Sequence, residues 1–167
     1  AHHLFFNELD VGDYLTYCKV RPPFREESDR LALIEGLRSG QIDAVVSGHD
    51  PQPPENKRLP FVDASFGAIG LETLLATMLS LHHAHDLTLI EALTPLTLGP
   101  ARLLGLAQGH LAAGAPADLV LFDLNAPWAC KREDLSSRSK NSPFDGRRLQ
   151  GKVRLTLVDG AAAFKSA

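Results

Sequence analysis

The chain has 167 residues, of which 44% are hydrophobic and 22% are charged, and this balance is typical of a globular domain rather than a disordered or fibrous chain. The 17 Lys and Arg residues against 20 Asp and Glu residues give a net charge of -3, which argues against nucleic acid or an anionic membrane as a partner. The two distant cysteines argue against a disulfide scaffold. The chain also has no secretion signal and no apolar run long enough to span a membrane. Together with the cysteine usage, these features predict a cytoplasmic protein.

The N-terminal region predicts extended segments that alternate with helices. His2 and His3 are placed at the end of a strand, and because this strong apolar start has no partner before it, the chain is expected to be a fragment of a longer protein. A helix is predicted over residues 26–39, where the apolar residues form one stripe. Ser28 is its predicted N-cap, and Gly40 is its predicted stop.

A buried parallel strand is predicted over residues 42–47, with Gly48 at its C-terminal end. His49 and Asp50 follow at once, and ligands of α/β folds bind at this end of the strands. A histidine and a carboxylate there could bind a metal or move protons, or they could form only a turn, and the local sequence leaves both interpretations open. The long, polar, proline-rich loop over residues 49–66 predicts a lid or a rim.

Three helices are predicted next, over residues 71–81, 88–93 and 99–104. The first of them ends in a group of histidines, namely His82, His83 and His85. Imidazolium groups complement the dipole at the C-terminal end of a helix, so we interpret these histidines as a solvated helix end rather than as a metal cluster.

The remaining sequence changes to a β-rich pattern. A strand, a turn and a second strand are predicted over residues 110–124, and a hairpin is predicted over residues 153–164 about Asp159 and Gly160. The sequence therefore predicts two units, an α/β unit over residues 1–108 and a β-rich module over residues 109–167.

Five segments, in their order and spacing, resemble the C-terminal half of a bacterial dihydroorotase. They are HHL at 2–4, KVRPPFR at 19–25, DAVVSGHDP at 43–51, GAIGLET at 67–73 and SRSKNSPF at 137–144. The tail GAPADLVLFD at 114–123 also resembles the returning β-module of the amidohydrolase superfamily. The resemblance implies the C-terminal part of a (β/α)8 TIM barrel plus strands of a small β-sandwich. Residues 1–108 would carry the last barrel strands and helices, and residues 109–167 the β-module.

The resemblance also implies an activity and a cofactor. Dihydroorotases interconvert carbamoyl-aspartate and dihydroorotate in pyrimidine biosynthesis, and their zinc polarises the ring carbonyl and activates a water molecule. The zinc-binding His-x-His pair, the bridging carboxylate and two further histidines of the family lie upstream of the matched segments. We therefore expect this chain alone to bind no zinc, and no metal ligand is assigned in it.

One active-site motif of the family falls within the matched segments. In the family it reads Asp-His-Ala-Pro-His, and its Asp contacts the metal and serves as the acid/base. In the same register this chain has Gly48, His49, Asp50, Pro51 and Gln52. Gly48 thus occupies the acid/base slot, no catalytic residue is assigned, and Asp50 lies two residues, or roughly 6 to 7 Å, further along. This departure predicts that hydrolysis is impaired or lost.

The remaining site residues are expected to bind or surround the substrate. Arg21 matches a position where the family places Asn or Arg for the substrate carboxylate, and guanidinium binds carboxylates bidentately. Substrate binding is expected from Arg21, Gln52, Gly67 and Gly70, with the two glycines letting backbone amides approach a carboxylate. The same cleft is expected to be lined by His2, His49 and Asp50.

Two functions from different classes follow from the resemblance. The first is a cyclic-amide hydrolase of small molecules, impaired in this copy and expected to be a homo-oligomer. The alternative is a non-catalytic structural partner of aspartate transcarbamoylase, since dihydroorotase-like chains without the catalytic set act in that way. This alternative predicts an exposed apolar patch on the β-module or on the outer helices of the barrel.

Overall fold

A computed structural model of the protein describes residues 1–166. Within that range, short helices precede an antiparallel sheet. The α-helices are α1 His2–Phe5, α2 Glu27–Arg38, α3 Pro54–Lys57, α4 Leu74–His83, α5 Leu89–Leu93 and α6 Leu98–Leu104. The strands are β1 Leu119–Ala129, β2 Arg148–Val158 and β3 Ala161–Lys165. Short 3-10 helices cover Glu8–Val11, Thr16–Cys18, Thr94–Leu96 and Arg132–Asp134. Over residues 1–166, none of the helices has the length and apolar character needed to cross a bilayer.

The helices predicted from apolar periodicity are confirmed, with small shifts at their ends. Helix α2 begins at Glu27, so the predicted N-cap Ser28 is wrong: Glu26 precedes the helix and Ser28 lies inside its first turn. Gly40 has φ of +72°, which suits a residue that ends a helix, and its N–H donates to the carbonyl of Leu37.

The first residues form helix α1, so the prediction that His2 and His3 end a strand is wrong. The N–H of Phe6 donates to the carbonyl of His2 at 2.9 Å, which closes a helical turn. The rings of Phe5 and Phe6 pack on Phe144 with centroids 5.0 and 4.7 Å away. This aromatic packing favours a compact helical turn over the extended conformation that the apolar run predicts.

Residues 42–47 form no strand, and this corrects the prediction of a buried parallel strand there. Val46 is 75% exposed, and most other residues of the segment are only half-buried. A strand needs a ladder of hydrogen bonds to a neighbouring strand. Here the N–H of Val45 donates to the carbonyl of Pro95, and the carbonyl of Val46 accepts from the nitrogen of Ala1, so the partners that this segment has do not form a ladder.

The three strands pair antiparallel in the order β1, β2, β3. The register sets Leu119 opposite Leu157 in β1 and β2. Asp159 and Gly160, with φ of +49° and +77°, join β2 to β3. Two left-handed residues in succession are what a type I′ turn requires, so the predicted hairpin is confirmed.

The predicted strand, turn and strand over residues 110–124 is wrong, because a single strand, β1, begins only at Leu119. Gly109 and Gly114 have φ of +88° and +83°. Left-handed backbone at both positions interrupts the extended conformation that the apolar residues between them favour.

Two clusters of buried side chains form the core. The larger cluster contains Phe6, Cys18, Val20, Phe24, Ala68, Ile69, Ala76, Cys130, Leu135, Phe144 and Leu149. The smaller joins helices α1, α2, α4 and α5 through Leu4, Ile34, Leu37, Met78, Leu81, Leu87 and Ala92. The larger cluster draws residues from both predicted units, which therefore share a core, and the boundary between residues 108 and 109 stays a prediction.

The contact of β2 with α4 yields a stability prediction. Gly151 has φ of +94°, and a Cβ at this position would overlap Cδ1 of Leu79, which is fully buried. We expect Gly151→Ala to lower the free energy of unfolding by about 1 kcal/mol for the left-handed backbone and by a further 1 to 3 kcal/mol or so for overpacking. Denaturant unfolding measures both effects.

Gly146→Ala is the matched control, because Gly146 has φ of +76° and open space around its missing Cβ. Gly146→Ala should lower the free energy of unfolding only by the cost of the left-handed backbone. Equal losses of stability in the two variants would contradict the steric role of Gly151.

Candidate functional site

The position predicted for the acid/base lies against a buried histidine. Gly48 has φ of +65°, and a Cβ there would lie 3.2 Å from Nδ1 of His2. The side chain of His2 is buried, and its Nε2 donates to the carbonyl of Ile69 at 3.2 Å. The imidazole of His2 therefore faces the Cα of Gly48, where a side chain at this position would begin.

The protonation of His2 follows from its surroundings. Burial lowers the pKa of His2 to about 4, and electrostatic interactions with neighbouring groups act in the same direction. The hydrogen bond to Ile69 opposes these effects only in part. His2 is therefore neutral at pH 7, with Nδ1 unprotonated on the side that faces Gly48, because Nε2 carries the donated proton.

His49 is held by the backbone of the neighbouring segment. Its Nδ1 accepts from the N–H of Gly70 at 3.2 Å, and the residue forms a parallel bridge with Ala68. His49 also lines a cavity of about 10 Å³ next to Glu72 and Leu135, which is room for about one water molecule. The bridge and the hydrogen bond fix the imidazole beside Gly48.

The carboxylate of Asp50 is engaged by neighbouring residues. Its Oδ1 accepts from Nε2 of Gln52 at 2.7 Å. Its Oδ2 lies against Gly67, where a Cβ would come within 2.5 Å of that oxygen. The carboxylate thus lies between Gln52 and Gly67.

Gly67 and Gly70 permit close packing, and their amides are already engaged. The N–H of Gly67 donates to the carbonyl of Lys19, and the N–H of Gly70 donates to His49. A Cβ at Gly70 would lie 2.5 Å from the carbonyl oxygen of Ser47. Both amide donors have protein acceptors in this structure, and the expectation that they serve a bound carboxylate stays a prediction.

Arg21 lies against Phe66, the residue that precedes Gly67. Its guanidinium carbon lies 4.3 Å from the centroid of the Phe66 ring, and the ammonium of Lys19 lies 4.8 Å from the same centroid. The residue is exposed, so the guanidinium keeps edges with which to bind an anion. Stacking on Phe66 limits the freedom of the side chain.

Sequence reasoning missed Asn141 as a site residue. Its side chain is buried, and Nδ2 donates to the carbonyls of Asp50 and Gly67, at 3.1 Å each. Its Oδ1 accepts from the N–H of Gln52, and its own carbonyl accepts from Ile69. Only the motif SKNSP in the resemblance pointed to this residue, because nothing in its local sequence signals burial.

The described residues do not by themselves fit a zinc ion. Over residues 1–166, no three His, Cys, Asp or Glu side chains are grouped so that they could hold a metal. His82 and His83 instead bond the carbonyls of Leu87 and Leu124. The donor set that zinc prefers therefore does not come together from these residues alone.

The fold and this loop arrangement define a class of protein. The amidohydrolase family model matches residues 19–163, which is most of the chain. The chain belongs to the amidohydrolase family.

The resemblance to dihydroorotases is confirmed by curated relatives. The chain is 42% identical over 165 residues to a protein of Anaplasma phagocytophilum named dihydroorotase, covering 99% of this chain and 37% of that protein. A protein of the same name from Aquifex aeolicus is 38% identical over 164 residues, with 98% and 39% covered. The chain thus spans less than two fifths of the length of these relatives.

Solved structures confirm the fold class as part of an α/β amidohydrolase barrel with its β-module. L-hydantoinase (dihydropyrimidinase) from Arthrobacter aurescens matches with a TM-score of 0.90 and 33% identity, covering 98% of this chain and 38% of that one. A D-hydantoinase matches with a TM-score of 0.87 at 22% identity, over 98% and 38% of the two chains, and it speaks to the fold alone.

The buried neutral imidazole of His2 yields a pH prediction. Its pKa is about 4 in the folded chain and about 6.5 when unfolded, so the unfolded chain binds more protons between these values. The free energy of unfolding should fall by about 3 kcal/mol through this group as the pH drops from about 6.5 to 4. Unfolding by denaturant at several pH values in this window measures the slope.

The variant His2→Leu should lose this part of the pH dependence. His110→Gln, at an exposed histidine, is the control and should keep it. An unchanged slope in His2→Leu would show that another group causes the acid sensitivity.

Proposed function

We propose that the protein containing this chain is a cyclic-amide hydrolase of the dihydroorotase type whose activity is impaired or absent in this copy. The observation that carries the proposal is the Gly48 position, which lacks a carboxylate and where an added Cβ would lie 3.2 Å from the neutral imidazole of His2. The relatives named dihydroorotase support the reaction class. Carbamoyl-aspartate and dihydroorotate are the proposed ligands, and a role in pyrimidine biosynthesis within the cytoplasm follows from them.

The chemistry that this chain can contribute is binding rather than proton transfer at position 48. Arg21 would hold the substrate carboxylate by charge-assisted hydrogen bonds. Gln52 would bind the substrate through its amide, which donates to Asp50 in this structure. Gly67 and Gly70 would line the cleft through their small size rather than through their amides.

Position 48, where the resemblance places the acid/base, has no side chain that could accept or donate a proton. An imidazole whose pKa is about 4 is a poor acceptor for a proton at pH 7, and the carboxylate of Asp50 is bonded by Gln52. In the whole protein, zinc would be held by residues upstream of the matched segments. It would polarise the ring carbonyl of the substrate. Loss of a general acid/base costs about 10²- to 10⁴-fold in rate.

The alternative is a structural subunit that associates with aspartate transcarbamoylase. Exposed leucines on and after α6 favour this alternative, since Leu103, Leu104 and Leu106 are all more than half exposed. They would form the apolar patch on an outer helix that such an interface needs. Homo-oligomer formation through the same patch would be a further way to cover it.

The activity of the whole protein tests the main proposal. Cyclisation of carbamoyl-aspartate, with and without added zinc, should be at least about 100-fold slower than in an ordinary dihydroorotase. Gly48→Asp should raise the rate where the upstream ligands are intact, because aspartate tolerates the left-handed backbone at this position. Any gain requires His2 to move by a few tenths of an ångström.

Gly48→Asn is the matched control, since it has nearly the same size and backbone tolerance without the carboxylate. Equal rates in the two variants would contradict an acid/base role for position 48. Full turnover by the unmodified protein would overturn the proposed impairment, and no turnover together with a stoichiometric transcarbamoylase complex would favour the structural alternative.

Calorimetry on the whole protein tests the proposed anion site. Arg21→Ala should weaken binding of carbamoyl-aspartate by about 10- to 100-fold, since charge-assisted hydrogen bonds contribute about 1.5 to 3 kcal/mol. Arg25→Ala is the control, because Arg25 is exposed and pairs only loosely with Asp29 at 3.5 Å. Equal affinity in the native protein and Arg21→Ala would mean that Arg21 is only a surface charge.

A further inference from the structure

Lys57 is a buried lysine that the candidate site does not use. It ends helix α3, and only 3% of its surface is exposed. Lysine is rarely buried unless its ammonium is bonded. Here Nζ donates to the carbonyl of Ser65 at 2.8 Å and to the carbonyl of Lys19 at 3.4 Å.

These bonds tie together segments that are distant in sequence. The carbonyl of Lys19 also accepts from the N–H of Gly67 at 2.9 Å. The carbonyl of Lys57 itself accepts from Oγ1 of Thr16 at 2.6 Å. Lys57 therefore joins the stretch before Arg21 to the stretch before Gly67, through its side chain and its backbone.

The carbonyls of Lys19 and Ser65, which Lys57 holds together, lie next to the residues of the proposed anion site. Arg21 follows Lys19 by two residues, and Phe66 follows Ser65 directly. The guanidinium of Arg21 stacks on the ring of Phe66 at 4.3 Å. A change in the spacing of the two tied carbonyls would therefore move the guanidinium relative to the ring that supports it.

The ammonium of Lys57 remains charged at neutral pH. Burial lowers the pKa of Lys57 to about 8, and the charge of Lys19 lowers it further, while Asp50 acts in the opposite direction. The thiol of Cys18, which also lies nearby, is neutral at this pH because burial raises its pKa to about 11. Lys57 thus keeps all its N–H donors under ordinary conditions.

We propose that Lys57 is a positioning residue for the anion site, which sets the place of the Arg21 guanidinium by holding the carbonyls of Lys19 and Ser65 together. This inference rests on the proposed function, in which Arg21 binds a substrate carboxylate. Lys57 does not touch the ligand in this proposal. It acts through the backbone on either side of the Arg21 and Phe66 stack.

A double-mutant cycle on the whole protein tests the proposal, with carbamoyl-aspartate as the probe in calorimetry. Lys57→Met keeps the length of the side chain and removes its donors and its charge. It should weaken binding about tenfold in the native background and less than about twofold in the Arg21→Ala background. Arg58→Met removes one charge from the next, exposed residue and should leave the affinity unchanged.

Hydrogen exchange supplies a measurement that does not need a ligand. The Gly67 amide, bonded to the carbonyl of Lys19, should exchange at least about tenfold faster in Lys57→Met. The amide of Thr77 within α4, bonded to Thr73, should keep its rate and so exclude a general loss of stability.

The possible outcomes separate this inference from the proposed function. If the native protein binds no carbamoyl-aspartate, the proposed anion site is wrong, and the exchange of Gly67 alone decides whether Lys57 positions the segment. An equal loss of affinity with and without Arg21, or an unchanged Gly67 exchange rate, would overturn the role of Lys57.

A second variant covers the case in which Lys57→Met does not fold. Thr16→Val removes only the hydrogen bond to the carbonyl of Lys57 and keeps the shape of the side chain. It should shift both measurements in the same direction by about two- to threefold. No shift in either measurement would overturn the proposal as well.

Discussion

The side chain of Asn141 is the constraint on which the site region depends. A single buried amide bonds the carbonyls of Asp50 and Gly67 and the N–H of Gln52. Buried amides are costly unless their donors and acceptors are satisfied, and a satisfied one admits few alternative arrangements. The segment around residue 141 therefore helps to hold the two site segments together, beside the direct bridge of His49 to Ala68, although it is distant from both in sequence.

Local patterns predicted the elements that local interactions stabilise. Helix α4 follows from its stripe of leucines, and the turn at Asp159 and Gly160 follows from the left-handed backbone that these residues tolerate. The segment over residues 42–47 was mispredicted because a strand exists only with a partner beside it, and β-propensity says nothing about where that partner is. Helix α1 was missed because aromatic packing on Phe144, a distant residue, determines its conformation.

The candidate site shows the same division between local and distant causes. A family motif located Gly48, His49 and Asp50, and the structure sets His49 and Asp50 beside the glycines of the next segment, with Gly48 against His2. Asn141 and Lys57 could not be assigned from the sequence, because their importance comes from burial by residues far along the chain. An Asn or a Lys in an isolated sequence is most simply interpreted as a surface residue.

The two cysteines have a chemical consequence that follows from their place in the larger core cluster. Burial raises the pKa of both Cys18 and Cys130 to about 11, and the reactive form of cysteine is the thiolate. Neither sulfur is therefore a useful nucleophile or an easy target for oxidants while the core is closed. One cysteine comes from each of the two predicted units, so their reactivity reports whether those units open together or separately.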